Sequence, residues 1–183
     1  KEAGYPNGDK FPALSLQINA GGGTNTQVAE AIQKMLKENL NIHVDIVAMP
    51  WAQHVENYES GKALFYRTSW LADYPDAETF LNFLYGRHVP EKLTDHSNLN
   101  SMRYVSAKFD SVFGKALRTI DEDERNLLYL QADQIAIDDA VVLPIYYGKD
   151  YRLVQPYIRN YDQNPMEFRS FSNVYFSPEP KKD

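Results

Sequence analysis

The stretch Leu14-Ser15-Leu16-Gln17-Ile18-Asn19-Ala20-Gly21-Gly22-Gly23-Thr24-Asn25 decides the fold. Its first five residues alternate apolar and polar side chains, the period of a strand with one buried face. Gly21 to Gly23 break the alternation, and a helical period follows. Val28, Ile32, Met35, Leu36 and Leu40 fall on one face, with Lys34, Lys37 and Glu38 mainly on the other. Asn41 closes this helix. Ile42, Val44, Ile46 and Ala48 then alternate as a second strand, which Pro50 stops. A short helix is predicted over 51–60, ended by Gly61, and a third strand over 63–69. Helix-length connections between three strands predict an α/β lobe in three layers. Strands 13–19, 42–48 and 63–69 should lie parallel in one sheet, joined by right-handed crossovers.

Downstream, Asp76 before Ala77-Glu78-Thr79-Phe80 suits a helix N-cap. Residues 86–103 read as irregular. Phe109, Val112, Phe113, Ala116, Leu117 and Ile120 form an amphipathic stripe. A second helix is predicted from Asp121, with Glu124 at capping-box spacing and Leu128, Ala132, Ile135 and Ala136 as its buried face. Val141-Val142-Leu143-Pro144-Ile145-Tyr146-Tyr147 reads as a strand, at an edge or a bulge because of Pro144, with one of the two tyrosines in the core. From Gln155 onward Pro156, Pro165, Pro178 and Pro180 punctuate a tail. It reads as a connector plus a lone strand at Asn173-Val174-Tyr175-Phe176, with no second core.

The densest chemistry lies at Tyr66-Arg67-Thr68-Ser69-Trp70-Leu71-Ala72-Asp73-Tyr74-Pro75-Asp76, where the third strand runs into a loop. Ligands of α/β sheets bind at the carboxyl ends of strands. These residue types suit a zwitterion: Arg67 for a carboxylate, Asp73 for an ammonium, Trp70 for the apolar body between them. Each has a plainer reading. Asp73 serves equally as a turn residue before Pro75, Trp70 and Trp51 serve as core, and Arg67 can pair with a neighbouring carboxylate.

Length and composition narrow the classes. The chain has 183 residues, 43% of them hydrophobic and 24% charged, enough for one domain with a core. A net charge of −6 gives no electrostatic reason to expect nucleic acid or an anionic membrane as partner. No apolar run reaches the roughly 20 residues of a membrane helix. There is no cysteine, which excludes disulfides, thiol nucleophiles and Cys-bound zinc. His43, His54, His88 and His96 show no metal-ligand spacing, so no metal and no cofactor are expected. The three glycines match neither phosphate-loop pattern, since Thr26 stands where a dinucleotide fingerprint needs glycine and no Gly-Lys-Ser/Thr follows. The opening Lys1-Glu2-Ala3-Gly4-Tyr5-Pro6 reads as the last turn of a helix, so the sequence is expected to be a piece of a longer protein.

Five segments in order carry a resemblance: the Glu2-Ala3-Gly4-Tyr5-Pro6 opening, the Ala29–Leu40 helix, Trp70-Leu71-Ala72-Asp73-Tyr74-Pro75-Asp76 with Thr79-Phe80-Leu81, Leu143-Pro144-Ile145-Tyr146-Tyr147, and Leu153-Val154-Gln155-Pro156-Tyr157. Together they resemble the C-terminal part of the bacterial extracellular solute-binding proteins of the dipeptide/oligopeptide family, family 5, which serve ABC importers. The resemblance implies a periplasmic-binding-protein-like lobe of type II in a two-lobed receptor that closes on its ligand. Residues 1–154 would form the lobe and 155–172 the return segment to the hinge. Residues 173–183 would be a strand and tail belonging to the other lobe.

It further implies a binding protein and not an enzyme, with peptides as ligands and ABC permease subunits as partners. The location would be periplasmic or extracytoplasmic, with or without a lipid anchor. Asp73 would meet the peptide ammonium and Arg67 its carboxylate. Trp51 would line a side-chain pocket, and Asn25 would stand where some peptide binders place a cation. The same fold also serves nickel complexes, haem and oligosaccharides. A rival of another class is a carboxylate hydrolase using Asp73 with Asp76 or Glu78, whose carboxylates would need to flank a bond at roughly 5–9.5 Å.

Overall fold

A computed structural model describes residues 2–149, 151–162, 164, 166, 168 and 170–178. The expected sheet is present. β1 (Leu14–Asn19) lies between β2 (Val44–Met49) and β3 (Phe65–Tyr66), all parallel. β1 pairs with β2 from Leu14↔Val44 to Asn19↔Met49, and with β3 at Leu16↔Phe65 and Gln17↔Tyr66. β3 has two ladder residues where 63–69 was predicted. The continuation of the chain takes side-chain partners in place of a ladder, as described below.

The chain passes from β1 to β2 through α1 (Gly23–Leu40), then back across to β3 through α2 (Trp51–Glu59). Two right-handed crossovers running in opposite directions place their helices on opposite faces of a sheet. The contacts agree with this. Leu16, Ile18 and Val44 are buried against Ala29, with Ile32 and Leu36 packed beside them. Gln17, on the other face of β1, bonds to His54 and Asn57 of α2. Tyr66 stacks on Tyr58 of α2 with ring centroids 4.9 Å apart.

Gly21 turns the chain between β1 and α1 at φ 101°, a conformation L side chains rarely adopt. Asn41 closes α1 in the left-handed region, as expected. The buried stripe of α1 is narrower than its sequence predicts, because Met35 and Leu40 are exposed. One short parallel sheet covers about one side of that helix.

Residues after β3 build a second, helical core. Asp76 was expected to cap the next helix. That helix, α3 (Glu78–Leu81), has Ala77 at its cap position, and Asp76 Oδ1 accepts from the Glu78 N–H at 2.9 Å. A 3-10 turn over Asn82–Leu84 follows. α4 (Ala107–Ala116) is capped by Ser106, and α5 (Glu122–Asp138) by Asp121, whose side chain accepts from Glu124 N at 2.8 Å. The Glu124 carboxylate takes Lys115 Nζ at 3.0 Å. Phe109, Phe113 and Ala116 pack on Leu128, Tyr129, Ala132, Ile135 and Ala136, with Leu81 and Leu84 from the α3 region. Leu117 and Ile120, predicted in the stripe, are exposed because α4 ends at Ala116.

Residues 86–103 are irregular apart from a 3-10 turn at Gly86–His88, and buried polar groups hold them. Asn100 Nδ2 donates to the carbonyls of Tyr85 and Tyr104, and its oxygen accepts from Tyr104 N. Arg103 donates to the carbonyls of Tyr58 and Glu59 at the end of α2, and to those of Leu93, Asp95 and Ser101.

Two further expectations need correction. Residues 141–147 form no strand, and Leu143, Ile145, Tyr146 and Tyr147 are all exposed, so neither tyrosine is core. Apolar alternation makes a strand only where a neighbouring strand supplies the ladder, and none does so among the described residues. The tail strand is not alone: β4 (Ile158–Arg159) pairs antiparallel with β5 (Tyr175–Phe176), apart from the main sheet. Around this pair Leu153, Val154, Ile158, Tyr161, Phe171, Val174 and Phe176 line an apolar cleft of about 310 Å³. The expected breaks at Pro165 and Pro180, with residues 179–183 of the tail, lie outside the described residues.

Candidate functional site

Three parallel strands end on one side of the sheet, and the strand order reverses at β1. In open α/β sheets ligands bind beyond the carboxyl ends of the strands at such a reversal of order. The groups delivered there are Asn19 at the end of β1, Asn25 in the first turn of α1, and Arg67 after β3. Asn25 Nδ2 donates to Asn19 Oδ1 at 3.2 Å, and Arg67 Nη1 donates to the same oxygen at 3.2 Å. Two residues predicted from the sequence thus meet on a third that was not. Arg67 is half-buried and forms no ion pair among the described residues. One of its N–H groups is engaged by an amide oxygen, so the guanidinium keeps donors and a full charge for a planar anion.

A buried polar network underlies this point. His54, with no exposed surface, places Nδ1 2.8 Å from Gln17 Nε2 and Nε2 2.9 Å from the Arg67 carbonyl. Gln17 Nε2 also donates to the His54 carbonyl at 3.1 Å, and Gln17 Oε1 accepts from Asn57 Nδ2 at 2.8 Å. With Gln17 donating to Nδ1, the imidazole is neutral and carries its proton on Nε2, toward Arg67. Burial lowers the His54 pKa. The nearby Arg67 charge acts in the same direction, and the bond to the Arg67 carbonyl opposes both.

The loop after Arg67 is held by Thr79, which is buried. Its hydroxyl accepts from Trp70 Nε1 at 3.1 Å and from Asp73 N at 3.3 Å. Trp70 stands edge-on to Phe83 with centroids 4.6 Å apart, and half its surface is exposed. Trp51, at the carboxyl end of β2, is 55% exposed and lies 5.9 Å from the His54 ring, so neither tryptophan is core.

The carboxylates of the loop separate into two kinds. Asp76 Oδ2 lies 3.3 Å from Arg125 Nε, an ion pair off the hydrogen-bond line, and Asp76 also bonds to Tyr129 of α5. Glu78 accepts from the Tyr74 hydroxyl at 2.6 Å, a bond that, with burial and nearby carboxylates, pushes the Tyr74 pKa up to about 12. Asp73 is exposed and forms no ion pair among the described residues. Asp76 and Glu78 are therefore occupied in holding the loop to α5 and to itself, and Asp73 is left facing outward demands. Neither partner that the hydrolase reading gives Asp73 is thus free of a structural bond.

The sequence reading missed Asn19, Gln17, His54 and Thr79. Gln17 carried a faint signal, since a polar residue inside an alternating strand marks its second face. Nothing in sequence spacing links His54 to Arg67, which lies across a sheet face from it. Among the described residues no group of His, Asp or Glu side chains could hold a metal ion, and no helix is long and apolar enough to cross a membrane.

Comparison with known proteins gives a consistent answer. Residues 1–89 match the family described as bacterial extracellular solute-binding proteins, family 5 Middle. The chain is 29% identical over 175 residues to the periplasmic oligopeptide-binding protein OppA of Escherichia coli (strain K12), covering 95% of this chain and 30% of that protein. It is 26% identical over 168 residues to the dipeptide-binding protein DppE of Bacillus subtilis (strain 168), covering 92% of this chain and 28% of that protein. Among solved structures, the murein tripeptide binding protein MppA of Escherichia coli superposes with a TM-score of 0.81 at 27% identity, over 96% of this chain and 32% of that one. Haemophilus influenzae OppA, in complex with RPPGFSPFR, superposes with a TM-score of 0.74 at 25% identity, over 96% of this chain and 33% of that one. The chain thus spans about 30% of the length of the curated relatives it matches. In this fold, these motifs and these matches, the chain is similar to the bacterial extracellular solute-binding proteins of family 5.

Proposed function

We propose that this chain supplies one lobe of a two-lobed receptor that binds peptides outside the cytoplasm and delivers them to the permease subunits of an ABC importer. The observation that carries the reading is Arg67, a half-buried guanidinium at the switch point of the sheet with no carboxylate partner among the described residues. Leaving such a charge unpaired is costly, and a ligand carboxylate supplies the missing partner. Asp73 would take the ligand ammonium, with Trp70 and Trp51 as apolar walls and Asn25 holding Asn19 against Arg67. Relatives named for oligopeptide and dipeptide binding support peptides as the ligand class, and relatives named as periplasmic support the location. Residues 1–154 would form the lobe and 155–172 the return to the hinge. Residues 173–183 would reach the other lobe, and closure about that hinge would bury the peptide.

The test is Asp73→Asn in the full-length receptor, with trialanine and N-acetyl-trialanine as ligands in calorimetry. Truncating a desolvated charge partner costs about 2–5 kcal/mol. Trialanine affinity should therefore fall roughly 30-fold or more, at an unchanged melting temperature of the ligand-free protein. The acetylated ligand, lacking the ammonium, should bind both proteins equally weakly. A change within twofold for trialanine would reduce Asp73 to a turn residue.

A further inference from the structure

Arg67 sits one residue past the end of β3, yet both of its peptide groups are fixed. Its N–H donates to the Gln17 carbonyl at 2.9 Å, a regular rung of the parallel pattern. In a ladder that continued, its carbonyl would accept from the main chain of β1 at Asn19. The carbonyl instead meets Nε2 of the buried His54 at 2.9 Å. The other ring nitrogen is held by Gln17, the same residue whose carbonyl takes the Arg67 N–H. Gln17, His54 and Arg67 therefore close a ring of hydrogen bonds through both main chain and side chains. The ring replaces the sheet rung at the position where the strand gives way to the ligand-facing loop.

From this ring the geometry points to His54 as a positioning residue: its imidazole fixes the Arg67 peptide plane, and through it the guanidinium's aim at a ligand carboxylate. The inference rests on the reading of Arg67 as a carboxylate partner given above. With the N–H held by Gln17, the bond to the carbonyl restrains φ at Arg67; rotation about that N–Cα bond swings the long side chain, and directional pairing with a planar carboxylate is sensitive to the swing. The Arg67 side chain has one further anchor, the Asn19 oxygen at 3.2 Å, which does not determine its backbone. His54 is fully buried, so it acts on a ligand indirectly: through Arg67, whose carbonyl it holds, while its ring contact with Trp51 bears alike on ligands with and without a carboxylate.

Two variants of the full-length receptor separate this role from simple packing. His54→Gln keeps an amide N–H that reaches the Arg67 carbonyl. His54→Asn is shorter, can still pair with Gln17, and falls short of that carbonyl. Each is titrated with trialanine and with trialanine amide, which has no carboxylate, beside Arg67→Ala as reference. Expected are a loss of roughly 10-fold in trialanine affinity for His54→Asn, the size of one directional hydrogen bond, and amide affinity within about twofold of the native value. His54→Gln should stay close to native with both ligands.

Equal losses for both ligands in His54→Asn, or no loss where Arg67→Ala discriminates between them, would overturn the positioning role. If Arg67→Ala itself fails to discriminate, the carboxylate reading falls, and the inference built on it falls with it. If neither His54 variant folds, nitrogen NMR of the unaltered receptor decides. Exchange of the His54 Nε2 proton should slow on binding trialanine and not on binding the amide, and equal exchange with both would overturn the role.

Discussion

His54 ties the stability of the lobe to pH, because its neutral ring is both donor and acceptor in a site without solvent. Burial first, and the Arg67 charge second, lower its pKa below the ordinary 6.5 of an unfolded chain. Between the folded and unfolded values the unfolded chain binds more protons. His54 therefore contributes full stability above about pH 6.5, lost as pH falls from there through the folded pKa. His88, lowered mainly by burial, acts with the same sign. Urea midpoints from pH 8 to pH 5 should fall on the acid side in the native protein and fall less in His54→Gln. An equally steep fall in the variant would assign the effect to other groups. Asp76 is the second residue whose role differs from that of its neighbours in sequence. It joins the loop after β3 to Arg125 and Tyr129, so Asp76→Ala should cost about 1.5–3 kcal/mol in urea unfolding, the range for bonds to charged groups. Asp73→Ala, three residues earlier, should cost little, since no ion pair is broken among the described residues.

At the scale of elements, caps and turns carry their own tests. Asp121 accepts from Glu124 N at the start of α5, and Asp121→Ala should cost about 1 kcal/mol. Gly61 ends α2 at φ 72°, and a Cβ there would come 2.8 Å from the Leu93 carbonyl and 3.1 Å from the Arg103 guanidinium. Gly61→Ala should therefore lose at least the roughly 1–2 kcal/mol of a left-handed L residue, with added loss as Arg103 is pushed from the end of α2. A thermal shift near zero would mean the loop 90–103 yields freely. Elements with local signals were legible in this way: Asp121, Asn41, Pro50 and Gly61 each mark a boundary the structure keeps. The ends of α4 and β3 were not, because Ile120 continues a helical stripe and residues 67–69 continue a strand-like run without the tertiary partners that would extend either element.

Among the described residues several large apolar side chains near one another in sequence are exposed, with Leu143 at 68%, Tyr147 at 97% and Leu153 at 105%. Contiguous apolar surface of this kind drives association. The isolated 183-residue chain should self-associate in sedimentation experiments, and Leu143→Ser combined with Tyr147→Ser should reduce it. Binding is the complementary test. On the proposal that this chain supplies one of two lobes, it cannot desolvate a ligand's charges from both sides, and the isolated chain should bind trialanine more weakly than about 1 mM by calorimetry. Tight binding by the chain alone would place the whole site within it and count against closure between lobes.

Sequence alone determined the β-α-β-α-β order and the parallel sheet, because alternation, helical period and Gly/Pro boundaries are local and independent of what lies across the fold. It also placed Arg67, Asp73, Trp70, Trp51 and Asn25 at strand ends or in the loops and helix starts that follow them, since strand-to-loop transitions are visible in the chain. Tertiary structure decided which charges are occupied. Asp76 and Asp73 look alike in sequence, and Arg125, nearly fifty positions away, separates them. It decided, too, that Asn19 joins Arg67 to Asn25, and that His54 supports Arg67 from beneath. Those contacts join strands and helices that are adjacent only after two crossovers have folded onto opposite faces of one sheet, and no spacing along the chain encodes that adjacency.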